Sequence, residues 1–151
     1  MSDSVAKSCL HSWHCQEHSV SIVSWRGFAF EEVCLLHINQ IKQALGIQGV
    51  SSRQSSWAVK GNNDEEGTQI DLIIERADHI VNLCEMKFYG EKYSVDKAYY
   101  QKMNYREKML TEKISHKDIV HPILVTTYGL TYNEYSGIFQ HVITLDDLFK
   151  E

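Results

Sequence analysis

The fold of this chain is decided by residues 67–87, which read Gly67-Thr-Gln-Ile-Asp-Leu-Ile-Ile-Glu-Arg-Ala-Asp-His-Ile-Val-Asn-Leu-Cys-Glu-Met-Lys87. Two apolar, β-branched runs, residues 69–76 and 80–88, flank the short polar break 77–79. This pattern predicts two strands joined as a hairpin. The strands also carry Asp71, Glu85 and Lys87. Charges within apolar strands are costly to bury unless they are paired or bind a cation, so these three indicate a site.

The predicted register brings the three charges together. Because side chains alternate along a strand, Glu85 and Lys87 point the same way, roughly 7 Å apart. A three-residue loop pairs Ile73 with Leu83 and Asp71 with Glu85, which puts all three charges on one face. A two-residue loop would move Asp71 to the opposite face.

Such a cluster has the chemistry of a phosphodiester hydrolase. Two carboxylates a few ångströms apart repel each other unless a cation neutralises them. Mg²⁺ takes carboxylate and carbonyl oxygens, water and phosphate oxygens, and it acidifies bound water. We expect Asp71, Glu85 and the backbone carbonyl of Met86 to hold Mg²⁺ or Mn²⁺. Lys87 would then orient the attacking water and stabilise charge on the phosphate.

The spacing of Asp71, thirteen intervening residues and Glu85-Met86-Lys87 resembles the PD-(D/E)XK nuclease superfamily, which has the restriction-endonuclease-like fold. Ile70 stands where the name has proline. Over roughly residues 25–150 the chain also resembles the C-terminal nuclease-like domain of prokaryotic AAA-type ATPases. The segments that carry this wider resemblance are 27–34, 67–74, 82–88, 124–130 and 143–149.

The resemblance implies an α/β (α+β) three-layer core, in which a mixed sheet in the order α-β-β-β-α-β lies between helices. It also implies that a carboxylate of the first helix joins the site. We favour Glu31 over Glu32, which lies about 100° around the helix. The alternative is that Glu31 only complements the helix dipole.

Three further residues are predicted to contact substrate. Gln101 and Tyr105 are four residues apart and share one helix face, in a Gln-x3-Tyr motif that resembles one of a RecB-related nuclease branch. Gln69 precedes Asp71 by two residues and so shares its face. Lys60 is another candidate phosphate contact. Gln101 and Tyr105 also fit ordinary helix residues.

Length and composition fit one compact domain. The 151 residues divide into an N-terminal arm or remnant of an upstream domain, 1–24, and a nuclease-like domain, 25–151. The sequence contains no run of about 18 apolar residues, so we expect no membrane span. Cysteines in predicted core elements, Cys34 and Cys84, favour a reducing cytoplasm. The chain has no Walker-type motif, so an ATPase motor would have to come from another domain or partner.

Other elements follow from periodicity and breakers. Residues 27–45 predict a helix ended by Gly46, 47–56 a loop, and 57–60 a short strand. Residues 94–113 predict a second helix capped by Ser94. A buried strand is expected at 121–127, a helical turn at 132–136, an edge strand at 142–144 and a final helical turn at 145–149.

Charge and the N-terminus leave alternatives open. The net charge of −5 argues against a protein that coats nucleic acid non-specifically. Basic residues between Lys92 and Lys117 fit either a solvated helix face or a surface that tracks phosphates. The soft ligands Cys9, His11, His14, Cys15 and His18 fit either a zinc site or an arm that packs on a partner.

Three functions therefore compete. The first is a metal-dependent nuclease acting on DNA. The second is a non-catalytic nucleic-acid-binding or regulatory module of an AAA-type ATPase. The third is a buried ion network with a structural role only. A homodimer would suit cleavage of both strands, but no residue pattern demands one.

Overall fold

The computed structural model of the protein describes residues 20–61 and 67–150. The helices are α1 (Val20–Leu36), α2 (Ile38–Ala44), α3 (Lys97–Thr111) and α4 (Leu145–Leu148), with a 3-10 turn at Ser136–Ile138. The strands are β1 (Ser52–Val59), β2 (Thr68–Arg76), β3 (Ile80–Lys87), β4 (Ile119–Thr126) and β5 (His141–Thr144).

The five strands form one mixed sheet in the order β1-β2-β3-β4-β5. β1, β2 and β3 are antiparallel neighbours, whereas β3, β4 and β5 run parallel. The parallel step from β3 to β4 requires a crossover, which α3 supplies. The α+β class, the mixed sheet and the order α-β-β-β-α-β expected from the sequence are thus confirmed.

Two apolar clusters cover the two faces of the sheet. On one face, α1, α2 and α4 pack through residues such as Phe30, Cys34 and Leu148 against β-strand residues such as Leu72 and Met86. On the other face, α3 packs through Met103 and Leu110 against Ile73, Leu83 and Leu124. Burying apolar surface on both faces of β3 explains its almost uninterrupted apolar sequence.

The first helix differs from its prediction. It begins at Val20, before residue 27, and the helical stretch breaks at His37 into α1 and α2. The His37 ring nitrogen Nδ1 lies 2.7 Å from the Val33 carbonyl, a side-chain contact that accompanies the break. The end at Gly46 is confirmed, and its φ of +69° is the left-handed conformation that glycine adopts without strain.

Two other boundaries also differ. β1 begins at Ser52, so the predicted loop 47–56 is wrong over its last five residues. Its polar sequence reflects an edge strand with one solvent-exposed face, for which apolar alternation is weak. α3 begins at Lys97, and Asp96 rather than Ser94 is its cap, accepting a 2.7 Å hydrogen bond from the Tyr99 amide.

The hairpin of β2 and β3 has the predicted three-residue turn, and Ile73 pairs with Leu83 as expected. The ladder nevertheless stops at Leu72↔Cys84, before the predicted pairing of Asp71 with Glu85. On the β1 side, Ser55 faces Ile73 but Trp57 faces Ile70, so β2 bulges at residues 71–72. A bulge breaks strict alternation, which the sequence argument assumed.

No helix in the described ranges is long and apolar enough to cross a membrane.

Candidate functional site

Glu85 lies at the centre of the charged cluster and is buried, with 7% of its surface exposed. Its two carboxylate oxygens meet different cations. Lys87 Nζ lies 3.3 Å from Oε1, and an Arg106 guanidinium nitrogen donates to Oε2. Burying a carboxylate in this way is tolerable because both partners carry positive charge.

Arg106 is a residue that the sequence reasoning missed as part of the site. It is as buried as Glu85, and its Nε also donates to Thr68 Oγ1 at 3.1 Å. A signal was present in the sequence, because Met103, Arg106 and Leu110 form the buried stripe of α3. An arginine within an apolar helix stripe needs an acidic partner on the surface that it faces.

Tyr99 of α3 packs against Lys87. Its ring lies under Lys87, with Nζ 5.2 Å from the ring centroid, a cation–π geometry. The hydroxyl is buried and makes no well-formed hydrogen bond with any residue in the described ranges. Burial raises the pKa of the Tyr99 hydroxyl, and the neighbouring Glu85 carboxylate raises it further.

Asp71 lies on the bulge and approaches α1. Thr68 and Ile70 lie on the α3 side of β2, whereas Leu72 packs in the layer under α1. Glu85 and Lys87 share the α3 side, where they meet Arg106 and Tyr99, and the single face predicted for Asp71 together with them stays a prediction. Gln69 Nε2 donates to Asp71 Oδ1 at 2.5 Å, as their shared face predicts.

Glu31 of α1 lies close to Asp71, Glu85 and Lys87. It is half-buried on α1, whereas the neighbouring Glu32 is exposed, which fits the choice of Glu31. Burial raises the pKa of Glu31; the Asp71 and Glu85 carboxylates also raise it, and Lys87 opposes them. Asp71, Glu85 and Lys87 thus all lie close enough to Glu31 to influence its pKa.

The donor chemistry of this region fits a hard divalent cation, but the ligands are not assembled. Glu31, Asp71 and Glu85 offer carboxylate oxygens, and their mutual repulsion is what a cation relieves. Met86 lies between Glu85 and Lys87, and its side chain is buried in the layer under α1. Within residues 20–61 and 67–150, however, no three acidic, histidine or cysteine side chains form a group that could hold a metal.

The predicted substrate residues lie along one side of the site. Gln101 and Tyr105 line the same cavity, of about 360 Å³, with Thr68. Gln69 and Lys60 line a neighbouring cavity of about 430 Å³. The structure therefore brings these four residues to one region, while Cys9, His11, His14, Cys15 and His18 lie outside the described residues.

Comparisons with known proteins add little beyond the fold. No family model matches the chain, and no curated protein matches it. A crystal structure of a protein of unknown function, AF1548, is similar to this chain, with a TM-score of 0.47 and 15% sequence identity. The match covers 79% of this chain and 64% of AF1548, so the chain spans less than two thirds of that protein's length.

Proposed function

We propose that this protein is a metal-dependent nuclease that hydrolyses phosphodiester bonds of DNA. The observation that carries the proposal is the convergence of three carboxylates and one ammonium where β2 and β3 part. Glu31, Asp71, Glu85 and Lys87 are close enough for the other three to influence the pKa of Glu31. An acid with a perturbed pKa that clusters with further carboxylates and a cation is typical of catalytic sites.

Each residue has a role that its surroundings support. Asp71, Glu85 and the Met86 carbonyl would hold Mg²⁺ or Mn²⁺, with Glu31 completing the acidic set. The bound ion would acidify a water molecule and neutralise the phosphate. Lys87, held by Glu85 and the Tyr99 ring, is oriented to position that water and to stabilise negative charge that develops on the phosphate.

The pairing of Glu85 has a consequence for metal affinity. Both of its oxygens already meet cations, so Glu85 must exchange Lys87 or Arg106 before it can act as a ligand. Metal binding then competes with an existing ion pair. We therefore expect weaker binding than at a site whose carboxylates are unpaired, and stronger binding when substrate phosphate adds its own oxygens.

The test is a cleavage assay on plasmid, single-stranded DNA and RNA, combined with calorimetric titration of Mg²⁺ and Mn²⁺. Asp71→Asn, Glu85→Gln and Lys87→Met should each abolish cleavage. The two acid variants should also weaken metal binding. The matched control is Asp78→Asn at the far end of the same hairpin, where the exposed Asp78 pairs with Arg76. Cleavage that survives in Asp71→Asn would refute the proposed site.

The second candidate is a non-catalytic nucleic-acid-binding or regulatory module of an AAA-type ATPase. The pairing of Glu85 with Arg106 favours it, because a carboxylate satisfied by arginine can serve structure alone. Metal binding without cleavage of any substrate would favour this candidate. Absence of metal binding at millimolar concentration would leave the purely structural ion network.

The proposal includes a cytoplasmic location and two kinds of partner, DNA and an ATPase. Two cysteines, Cys34 and Cys84, are free and buried, which fits the reducing cytoplasm. DNA is the proposed substrate, and an ATPase domain or partner would supply the motor that the resemblance to prokaryotic AAA-type ATPases implies. A homodimer would place two sites on a duplex. Gel filtration with light scattering measures the molar mass and therefore shows whether the protein is a dimer.

A further inference from the structure

A polar groove borders the candidate site on the side opposite α1. It consists of two adjacent cavities, of about 360 and 430 Å³, that share Gly67, Thr68 and Lys102. The end of β1 and the start of β2 form one wall, and the first turns of α3 form the other. We call this feature the β1–α3 groove.

The charge of the β1–α3 groove is opposite to that of the whole chain. The chain has 20 acidic and 15 basic residues, yet the groove lining contains no Asp or Glu among the described residues. It contains the exposed Lys60 and Lys102, together with the buried Arg106, whose charge is paired with Glu85. Such a local excess of positive charge in an acidic protein attracts anions.

The remaining lining groups can donate hydrogen bonds to an anion. Gln69 and Gln101 present amides, and Tyr105 and Thr68 present hydroxyls. Lys60, Lys102 and Gln101 are exposed, so their polar ends reach the open space of the groove. Contacts of this kind, from amides, hydroxyls and ammonium groups, make up most protein contacts to nucleic-acid phosphates.

Backbone packing fixes the shape of the groove at its centre. A Cβ atom added at Gly67 would lie 2.7 Å from the Gly61 amide nitrogen and 3.1 Å from the Val59 carbonyl oxygen. Only glycine therefore allows the end of β1 to approach the start of β2 this closely. The approach brings Lys60 near Thr68, and Gly67 and Thr68 line both cavities.

The β1–α3 groove is connected to the candidate site by direct hydrogen bonds. Gln69 donates to Asp71, and Arg106 donates to both Thr68 and Glu85. An extended ligand lying in the groove would therefore meet Asp71 and Glu85 at its side. The two joined cavities suit a chain of phosphates better than one isolated phosphate.

We propose that the β1–α3 groove binds the sugar–phosphate backbone of a nucleic-acid strand, with Lys60 and Lys102 contacting phosphates that flank the one at the metal site. The proposal rests on the proposed function for its orientation. Binding in the groove does not itself require a metal. A binding assay without metal therefore separates the groove from catalysis.

The experiment is fluorescence anisotropy of a fluorescein-labelled DNA oligonucleotide, single-stranded or duplex, in EDTA at several salt concentrations. Lys60→Ala and Lys102→Ala should each weaken binding by about fivefold at low salt and reduce the slope of log affinity against log salt by about 1. The matched control is Lys108→Ala, which removes an exposed lysine of the same helix that does not line the groove. It should bind like wild type.

The outcomes separate the two proposals. Equal affinities for the Lys60, Lys102 and Lys108 variants, or no binding of any strand by wild type, would overturn the groove. Competition by millimolar dAMP or inorganic phosphate as effective as that by unlabelled oligonucleotide would also overturn a strand-binding role. Selective loss of binding in the two groove variants, without cleavage by wild type in Mg²⁺, would support the groove and refute the nuclease.

Discussion

At the scale of single residues, Arg106 neutralises the buried carboxylate of Glu85. The two side chains are separated by 21 residues, are equally buried and form a direct ion pair. The same Glu85 also meets Lys87. A buried carboxylate that meets two cations is electrically satisfied by its protein partners. Arg106 is thus a structural partner of Glu85 and, under the proposed function, would compete with the metal for it.

Replacing Arg106 by Met should therefore destabilise the protein by about 3 kcal/mol in EDTA, because Glu85 stays buried with only Lys87 as partner. Urea unfolding measures the change. The control is Arg53→Met, which breaks the exposed Arg53–Glu75 pair and should cost less than about 1 kcal/mol. If Glu85 is a metal ligand, Mg²⁺ should restore more stability to the Arg106 variant than to wild type. Equal losses in the two variants would contradict the role of Arg106.

At the scale of elements, the bulge in β2 and the start of α3 position the site. The bulge lies at residues 71–72, where the β2–β3 ladder also ends, so Asp71 and Glu85 do not pair across the two strands. α3 begins at Lys97, so Tyr99 lies in its first turn and Arg106 two turns later. The alignment of both side chains with β3 depends on where this helix begins, and the side chain of Asp96 caps that end.

Asp96→Ala should lower the free energy of unfolding by about 1 kcal/mol, because the Tyr99 amide loses its acceptor at the helix end. Asp96→Asn should retain most of the stability. Ser94→Ala, at the cap position that the sequence favours, should change stability by less than about 0.5 kcal/mol. Chemical denaturation followed by circular dichroism measures all three. A larger loss in Ser94→Ala than in Asp96→Ala would show that the helix begins earlier.

At the scale of the whole molecule, two apolar layers cover one sheet, and the charged cluster occupies the region where β2 and β3 part. Cys34 of α1 and Cys84 of β3 meet in the layer under α1. Burial raises the pKa of each thiol to about 12. A thiol in this state reacts only when the layer opens, so the two cysteines report on the integrity of the core.

In a Cys9→Ser, Cys15→Ser background, Cys34 and Cys84 should resist a thiol reagent at mildly alkaline pH, because the thiolate forms only near their pKa of about 12. In denaturing urea both should react at once. The rate in native buffer, followed by absorbance, should match the rate of global unfolding measured separately. Rapid labelling of the native protein would show that α1 detaches from the sheet without global unfolding.

The hairpin illustrates how far local sequence reaches. Its turn, its strands and the Ile73–Leu83 pairing follow from apolar runs that a three-residue polar break separates. The edge strand β5 and the end of the helix at Gly46 were also predictable. By contrast, β1 was predicted too short, because a polar edge strand lacks apolar alternation. The bulge was not predicted either, because two β2 residues that face one β1 residue produce no recognisable pattern in the local sequence.

The sequence by itself determined the α+β class, the hairpin and the identity of the acidic and basic residues that the site could use. These follow from periodicity and from the free-energy cost of charge in apolar strands, which are local properties. Only the tertiary structure decided that Glu85 pairs with Arg106, that the β2–β3 ladder ends before Asp71 and that Lys60 and Lys102 line one groove. These relations join residues far apart in the chain, and packing of α3 on the sheet fixes them.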